Sequence, residues 1–109
     1  MGKAQREKGK RGERATANEI AAKFGIDAHR GQQSRDGSDA PDVVGLTGWW
    51  IEVKTGKRLQ PKAALEQADA ARRPNDVPVA VLRYDREKAM AIMFWEDLLH
   101  LMDTAGVAK

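Results

Sequence analysis

The sequence has no cysteine among its 109 residues. Disulfide bonds and thiolate-bound metals or clusters are therefore excluded, and a reducing compartment suits such a chain. Long apolar runs are also lacking: the longest, Ala89 to Trp95, is far shorter than the roughly 20 residues that a membrane-spanning helix needs. The charged N-terminus has no apolar stretch behind it, unlike a secretory signal. We therefore expect a cytoplasmic protein with no membrane partner.

The composition is that of one globular domain, with 41% hydrophobic and 32% charged residues. The net charge is only +3, but the positive charges are unevenly placed. The first fourteen residues contain Lys3, Arg6, Lys8, Lys10, Arg11 and Arg14. Such a segment is either a solvated tail or an arm that neutralises phosphates, and composition leaves both readings open. We expect residues 1–12 to form a basic arm and residues 13–109 to form the folded domain.

Hydrophobic periodicity and the positions of glycine and proline predict the order α-β-β-β-α-β-β-α. The first helix is expected to begin near Gly12 and to end at Gly25, and the polar segment 31–40 is expected to be a loop. The other predicted elements are strands 26–30, 42–46 and 49–54, a helix over 61–73, strands 78–84 and 89–94, and a helix over 95–102.

The second and third predicted strands form a hairpin that gathers charge. A loop of residues 46–48, with Gly48 in the left-handed position, sets a register in which Asp42 lies opposite Glu52. Opposed residues in an antiparallel pair have Cβ atoms about 4.5–5.5 Å apart. Because side chains alternate between faces, Lys54 lies on the same face as Glu52. The hairpin thus brings two carboxylates and one ammonium group to one side.

Two ionised carboxylates at this distance repel each other, and a bound divalent cation offsets the repulsion better than Lys54 alone. Mg²⁺ prefers one or two carboxylates, with water and phosphate oxygens completing its coordination. The alternative is a surface hairpin whose charge cluster does nothing. The apolar neighbours argue against an exposed hairpin: Val43, Val44, Ile51 and Val53.

The run Pro41-Asp42, nine residues, then Glu52-Val53-Lys54 resembles the signature of the PD-(D/E)xK nuclease superfamily. The predicted order of elements is similar to the core of that superfamily. The resemblance implies an α/β, restriction-endonuclease-like αβββαβ core with a central mixed sheet flanked by helices.

Three further segments strengthen this resemblance. Arg11 to Arg14 resembles the segment where archaeal-type Holliday junction resolvases carry an additional catalytic glutamate, here Glu13. Without the resemblance, that residue is better explained as an ordinary first-turn glutamate that complements the helix dipole. His29 to Ser34 is similar to the RGQQ-type loop of small phage and bacterial PD-(D/E)xK endonucleases. Leu65 to Ala68 resembles the helix that bears a glutamine near the active site, here Gln67. Whether Ser34 or Ser38 matches a phosphate-contacting serine stays open.

The resemblance implies Mg²⁺ as the cofactor, with Mn²⁺ able to substitute, and no small-molecule cofactor. The implied catalytic residues are Glu13, Asp42, Glu52 and Lys54. The metal ligands would be Asp42, Glu52, a backbone carbonyl near Val53 and Glu13. The predicted DNA-binding residues are Lys10, Arg11, Arg14, Arg30, Gln33, Ser34, Lys57, Arg58 and Gln67.

These features lead us to expect a Mg²⁺-dependent, structure-selective endonuclease that cleaves branched DNA, most like a Holliday junction resolvase. The alternatives are a nuclease of the same fold acting on duplex or flap DNA, and a non-catalytic DNA-binding module. Cutting two opposed strands symmetrically predicts a homodimer. The apolar C-terminal side chains are its expected interface, unless they complete the monomer core: Met90, Ile92, Phe94, Trp95, Leu98, Leu99, Leu101 and Met102.

Overall fold

The computed structural model describes residues 2–32 and 40–106. In these residues the predicted order of elements is confirmed, and the fold is α/β. The elements are α1 (Lys3–Phe24), β1 (His29–Arg30), β2 (Val43–Val44), β3 (Trp49–Gly56), α2 (Pro61–Ala71), β4 (Val77–Tyr84), β5 (Met90–Ile92) and α3 (Trp95–Thr104).

The first helix is longer than predicted. It begins at Lys3 rather than near Gly12, and it ends as predicted at Gly25. Residues 3–12, expected to be a separate arm, therefore form the first turns of α1. The apolar periodicity starts only after this segment, but the segment is rich in Lys, Arg, Glu, Gln and Ala, which favour helix without any apolar stripe.

The five strands form one mixed sheet in the order β1-β2-β3-β4-β5. Its centre is the parallel pair β3–β4, whose register runs from Trp49 opposite Val77 to Gly56 opposite Tyr84. The other strand pairs are antiparallel. β1, β2 and β5 are shorter than predicted, because only two or three residues of each pair with a neighbouring strand.

The two long helices cover opposite faces of the sheet, because alternate residues of β3 and β4 point to opposite sides. Against α1 lies a core cluster of Ala17, Ala28, Val43, Ile51 and Val53. Against α2 lies a second cluster of Ala64, Leu65, Ala80 and Leu82. The sheet is therefore buried on both faces at its centre, and β3 directs Ile51 and Val53 towards α1 and Glu52 and Lys54 towards α2.

Helix α1 packs directly against β3 at Gly12, which is buried. A Cβ atom at this position would overlap Oγ1 of Thr55. Thr16, one turn further along the helix, donates a hydrogen bond from its hydroxyl to the Gly12 carbonyl at 2.8 Å. The glycine thus sets the distance between α1 and β3, and so the position of every α1 side chain near the end of the strand.

The last helix packs differently from the first two. None of the ten residues of α3 is buried against the rest of the described chain. Trp95 is 64% accessible, Leu98 and Leu99 are also exposed, and Leu101 and Met102 are half-buried. No helix in the described ranges is long and apolar enough to cross a bilayer.

Candidate active site

The predicted hairpin forms, with Gly48 at a positive φ of 88° in the turn. Val43 lies opposite Ile51, which confirms the predicted register at that pair. The ladder stops there. The N–H of Asp42 donates to the Ile51 carbonyl at 2.8 Å, so Asp42 lies outside the ladder and is not directly paired with Glu52.

Beyond the end of the β2 ladder, the side chain of Asp42 makes the next hydrogen bond to β3. Its Oδ2 accepts a hydrogen bond from the N–H of Val53 at 2.7 Å. A strand N–H at this depth needs a partner, and the carboxylate takes the place of a backbone carbonyl. The Asp42 carbonyl in turn accepts from the N–H of Gly31 at 2.9 Å. The Asp42 carboxylate is therefore held against the edge of β3 by the backbone itself.

Glu52 is the second carboxylate, and only 5% of it is accessible. Its Oε1 accepts a hydrogen bond from Nε1 of Trp50 at 3.0 Å. Trp50 and Glu52 are two residues apart in β3 and share a face, and Trp50 is itself 2% accessible. The guanidinium of Arg73 lies over the Trp50 ring, 5.6 Å from its centroid. A buried aromatic side chain thus orients the Glu52 carboxylate.

The two carboxyl groups interact directly. The pKa of Asp42 is raised from 3.8 to about 6, chiefly by burial and in addition by repulsion from, and hydrogen bonding with, the nearby Glu52 carboxylate. The hydrogen bond from the Val53 N–H and the Lys54 ammonium oppose this rise. Two carboxylates that disfavour each other's charge in a half-buried site are the arrangement that a bound cation relieves.

Lys54 lies two residues after Glu52 and on the same face of β3. Its Nζ donates a hydrogen bond to Oε1 of Gln67 at 2.8 Å. Gln67 is exposed on α2, and its side chain reaches back to the strand. The predicted glutamine on this helix therefore touches the predicted lysine and fixes the ammonium beside the two carboxylates.

Glu13 lies near this group but has its own partner. Its Oε1 accepts a hydrogen bond from Nε of Arg30 at 2.6 Å. Burial raises the pKa of Glu13, the Asp42 carboxylate raises it further, and Arg30 lowers it. Arg30, predicted to bind DNA, is therefore engaged by a carboxylate. The metal-binding role of Glu13 stays a prediction.

The donors that could hold a metal are few. Within the described ranges, no three or more His, Asp or Glu side chains form a group able to hold a metal ion. The carboxylates that come together are Asp42 and Glu52. Because the N–H and C=O of a strand residue point the same way, the Val53 carbonyl lies on the Asp42 side of β3. Two carboxylates and one carbonyl fit Mg²⁺, which binds through one or two carboxylates and keeps several waters.

The remaining predicted DNA-binding residues lie at different places. Lys10, Arg11 and Arg14 are on α1, where Lys10 also lies 3.9 Å from Glu7. Lys57 and Arg58 follow β3 directly and are exposed. Gln33 and Ser34 lie outside the described residues, as does Ser38.

The sequence analysis did not identify Trp50 as the hydrogen-bond partner of Glu52. A usable signal was present, since residues two apart in a strand share a face and an indole N–H needs an acceptor when it is buried.

Comparison with known protein families, with curated proteins and with solved structures finds no match to this chain.

Proposed function

We propose that this protein is a metal-dependent endodeoxyribonuclease with a restriction-endonuclease-like core. The observation that carries the proposal is the grouping of Asp42, Glu52 and Lys54 at one edge of β3, with the pKa of Asp42 raised to about 6. A merely structural cluster would be expected to pair each carboxylate with a cation. Here the carboxylates face each other, while the ammonium of Lys54 bonds to an uncharged amide.

The metal ligands in this proposal are the carboxylates of Asp42 and Glu52 and the backbone carbonyl of Val53, with Glu13 assisting. A bound Mg²⁺, or Mn²⁺ in its place, would polarise the phosphate and lower the pKa of the attacking water. The chain's own contribution is to hold the donors in place: Val53 N–H holds Asp42, and Trp50 holds Glu52.

Lys54 is the residue proposed to act on the reacting groups. An ammonium beside the carboxylates can orient a water molecule or neutralise charge that builds on the phosphate in the transition state. Gln67 would act through it, as a positioning residue, because its amide oxygen accepts the Lys54 hydrogen bond. The lysine would then approach the phosphate from a fixed direction.

The proposed substrate is DNA, bound through its backbone. Exposed cations lie on both sides of the carboxyl end of β3, from α1 on one side and the segment after β3 on the other. Such contacts position a duplex without reading its sequence. The resemblance to resolvases favours branched DNA, with four-way junctions as the first substrate to test.

The proposed assembly is a homodimer, because resolution of a four-way junction needs two opposed cuts. The exposed apolar side chains of α3 support this, since Trp95, Leu98 and Leu99 each keep more than a third of their surface accessible. A second copy would bury them.

Cleavage of a labelled four-way junction, beside a linear duplex and a flap of matched sequence, tests the proposal. Wild-type protein should cut the junction in Mg²⁺ and not in EDTA, and Asp42→Asn should lose cleavage while still binding. Faster cleavage of the duplex or flap would support a nuclease whose preferred substrate is not the four-way junction. Tight binding without any cleavage would show that the protein is a non-catalytic DNA-binding module.

A further inference from the structure

A basic cavity lies beyond the carboxyl ends of the two central strands. A cavity of about 480 Å³ there is lined by Lys8, Lys57, Asp85 and Arg86. Three elements meet at it: the N-terminal half of α1, the segment that follows β3, and the turn that follows β4. Neither Lys8 nor Arg86 belongs to the group of residues predicted to bind DNA.

The charge of this cavity is unbalanced. Nζ of Lys8 lies 2.6 Å from Oδ1 of Asp85, so these two charges neutralise each other. Lys57 and Arg86 are exposed, and neither has an ion pair or hydrogen bond with any residue that the structure describes. Two cations therefore remain at a concave surface without a protein anion, which suits a phosphate group.

The backbone at Arg86 is strained. Its φ is +62°, a left-handed conformation that is unfavourable for a residue with a side chain. Glycine adopts this conformation without that cost. The arginine side chain thus stands at a position where the local backbone alone would favour glycine, and strain of this kind persists mostly at functional sites.

The cavity lies close to the candidate active site. Lys54 pairs with Leu82, and the ladder continues to Gly56 opposite Tyr84, immediately before Lys57 and Asp85. Lys57 and Asp85 lie three residues beyond Lys54 and Leu82, so at about 3.3 Å per strand residue the cavity begins about 10 Å beyond Lys54. This distance corresponds to about three nucleotides at the rise of about 3.4 Å per nucleotide of a duplex strand.

We propose that the cavity formed by Lys8, Lys57, Asp85 and Arg86 binds a backbone phosphate of nucleic acid about three nucleotides from the phosphate that Lys54 faces. Lys57 and Arg86 contact the phosphate. Asp85 holds Lys8, and with it the start of α1, against the end of β4. The proposal rests on the proposed nuclease function, because that function places a nucleic-acid strand along this edge of the sheet.

The test compares three variants in binding and in stability. Affinity for a fluorescein-labelled four-way junction and a matched duplex is measured by anisotropy in EDTA, over a range of salt concentrations. Arg86→Gly and Lys57→Ala should each weaken binding about threefold to tenfold near physiological salt and reduce the slope of log K against log salt by about 0.9. Lys23→Ala removes an equal charge from the far end of α1 and should leave the slope unchanged.

Arg86→Gly carries a second readout that a purely structural arginine would not produce. Replacing the strained residue with glycine should raise the melting temperature by a few degrees while binding weakens. Lys57→Ala changes no strained position, so it decides the binding question even if Arg86→Gly lowers stability.

The outcomes separate this inference from the function on which it rests. If the wild type binds and cuts DNA while Lys57→Ala and Arg86→Gly keep its salt slope, the phosphate site is wrong and the nuclease stands. If both variants lose binding to anionic phosphatidylserine vesicles and not to DNA, the cavity serves a membrane surface instead. If the wild type binds neither the junction nor the duplex, both proposals fail.

Discussion

The Asp42 carboxylate accepts the hydrogen bond of the Val53 N–H at 2.7 Å, at the point where the β2 ladder has ended. A side chain therefore completes the edge of β3, and this fixes one carboxylate relative to the next residues of the same strand. Asparagine can accept the same hydrogen bond through its amide oxygen. Asp42→Asn consequently removes the charge and preserves the local backbone, which makes it the cleanest probe of the site.

The first prediction concerns pH and stability at Asp42. Because its pKa is raised from 3.8 to about 6, the folded state holds a proton between these values that the unfolded state has released. The free energy of unfolding should therefore fall as pH rises through this window, and the loss should persist above it. Asp42→Asn should remove this loss and stabilise the metal-free protein at pH 7.5 by roughly 3 kcal/mol, since the pKa rises by about two units and each unit corresponds to about 1.4 kcal/mol.

Urea unfolding at pH 4, 5, 6 and 7.5 measures this effect. Adding Mg²⁺ at pH 7.5 should stabilise the wild type and leave Asp42→Asn nearly unchanged. Equal stabilisation of both proteins by Mg²⁺ would place the metal elsewhere, independently of any activity measurement.

The second prediction concerns Lys54 and Gln67. Lys54→Ala should lower the single-turnover cleavage rate by about 10²–10⁴-fold at saturating DNA, as expected for a group that acts in the transition state. Gln67→Ala should have a smaller effect, because it only loosens the lysine. The double variant should be no slower than Lys54→Ala alone, since the glutamine acts through the lysine. Gln60→Ala, at the N-cap of the same helix, is the matched control. Additive losses would give Gln67 a separate role.

The third prediction concerns Trp50. Trp50→Phe removes the indole N–H that orients Glu52 and keeps an aromatic ring in the core. The Mg²⁺ concentration for half-maximal cleavage should rise about 10-fold or more, the usual effect of losing a partner of a metal ligand. Trp49→Phe changes the neighbouring residue on the opposite face and should leave this concentration unaltered. If the Mg²⁺ concentration for half-maximal cleavage rises equally in both variants, Trp50 contributes only to packing.

The fourth prediction concerns the approach of α1 to β3. Gly12→Ala should destabilise the protein by about 1–3 kcal/mol, because its methyl group overlaps Thr55 Oγ1. Thr55→Ala should restore most of this loss, since the Thr55 hydroxyl is buried without a hydrogen-bond partner in the described ranges. Gly9→Ala, where a Cβ meets nothing within 4 Å, should instead stabilise α1 by about 0.5–1 kcal/mol.

Thermal unfolding of the four proteins and the double variant checks this. If Gly12→Ala and Gly9→Ala change the melting temperature equally, α1 can move away from β3 without a loss of stability. The packing at Gly12 would then not fix the position of Glu13 relative to β3.

The fifth prediction concerns assembly. Sedimentation velocity at micromolar concentration should show a wild-type dimer, and Leu98→Glu should convert it to monomer without loss of the circular dichroism spectrum. Phe24→Glu changes another exposed apolar residue, 62% accessible at the end of α1, and should leave the dimer intact. A wild-type monomer that still makes paired nicks in a junction would contradict the dimer.

The sequence was sufficient to predict the order of the elements and the register of the hairpin. Alternating apolar residues and one glycine define a turn, and the Val43–Ile51 pair follows from it. The end of the ladder at Val43 was not predictable, because a hydrogen bond from a backbone N–H to a carboxylate leaves the alternation of the sequence unchanged. The direct pairing of Asp42 with Glu52 was wrong for this reason.

Partners of the site residues were the least predictable feature. Glu13 and Arg30 meet across α1 and β1, and no spacing in the sequence relates two residues on different elements. The start of α1 was also misjudged, since the residues after Lys3 form helix through propensity rather than through an apolar stripe. The sequence did place Lys54 and Gln67 near each other, through the resemblance rather than through periodicity.

The parallel pairing of β3 with β4 has a consequence for the order of folding. α2 connects these two strands in the sequence, so their pairing closes a long loop. The conformational entropy lost in closing this loop must be overcome before the eight residue pairs contribute to the stability of the fold. The antiparallel hairpin that carries Asp42 is local, but its ladder holds a single residue pair and is too short to persist alone. We therefore expect the two acidic groups to come together late in refolding, after the central strands dock, so that cation binding should appear in the slowest phase of the folding reaction.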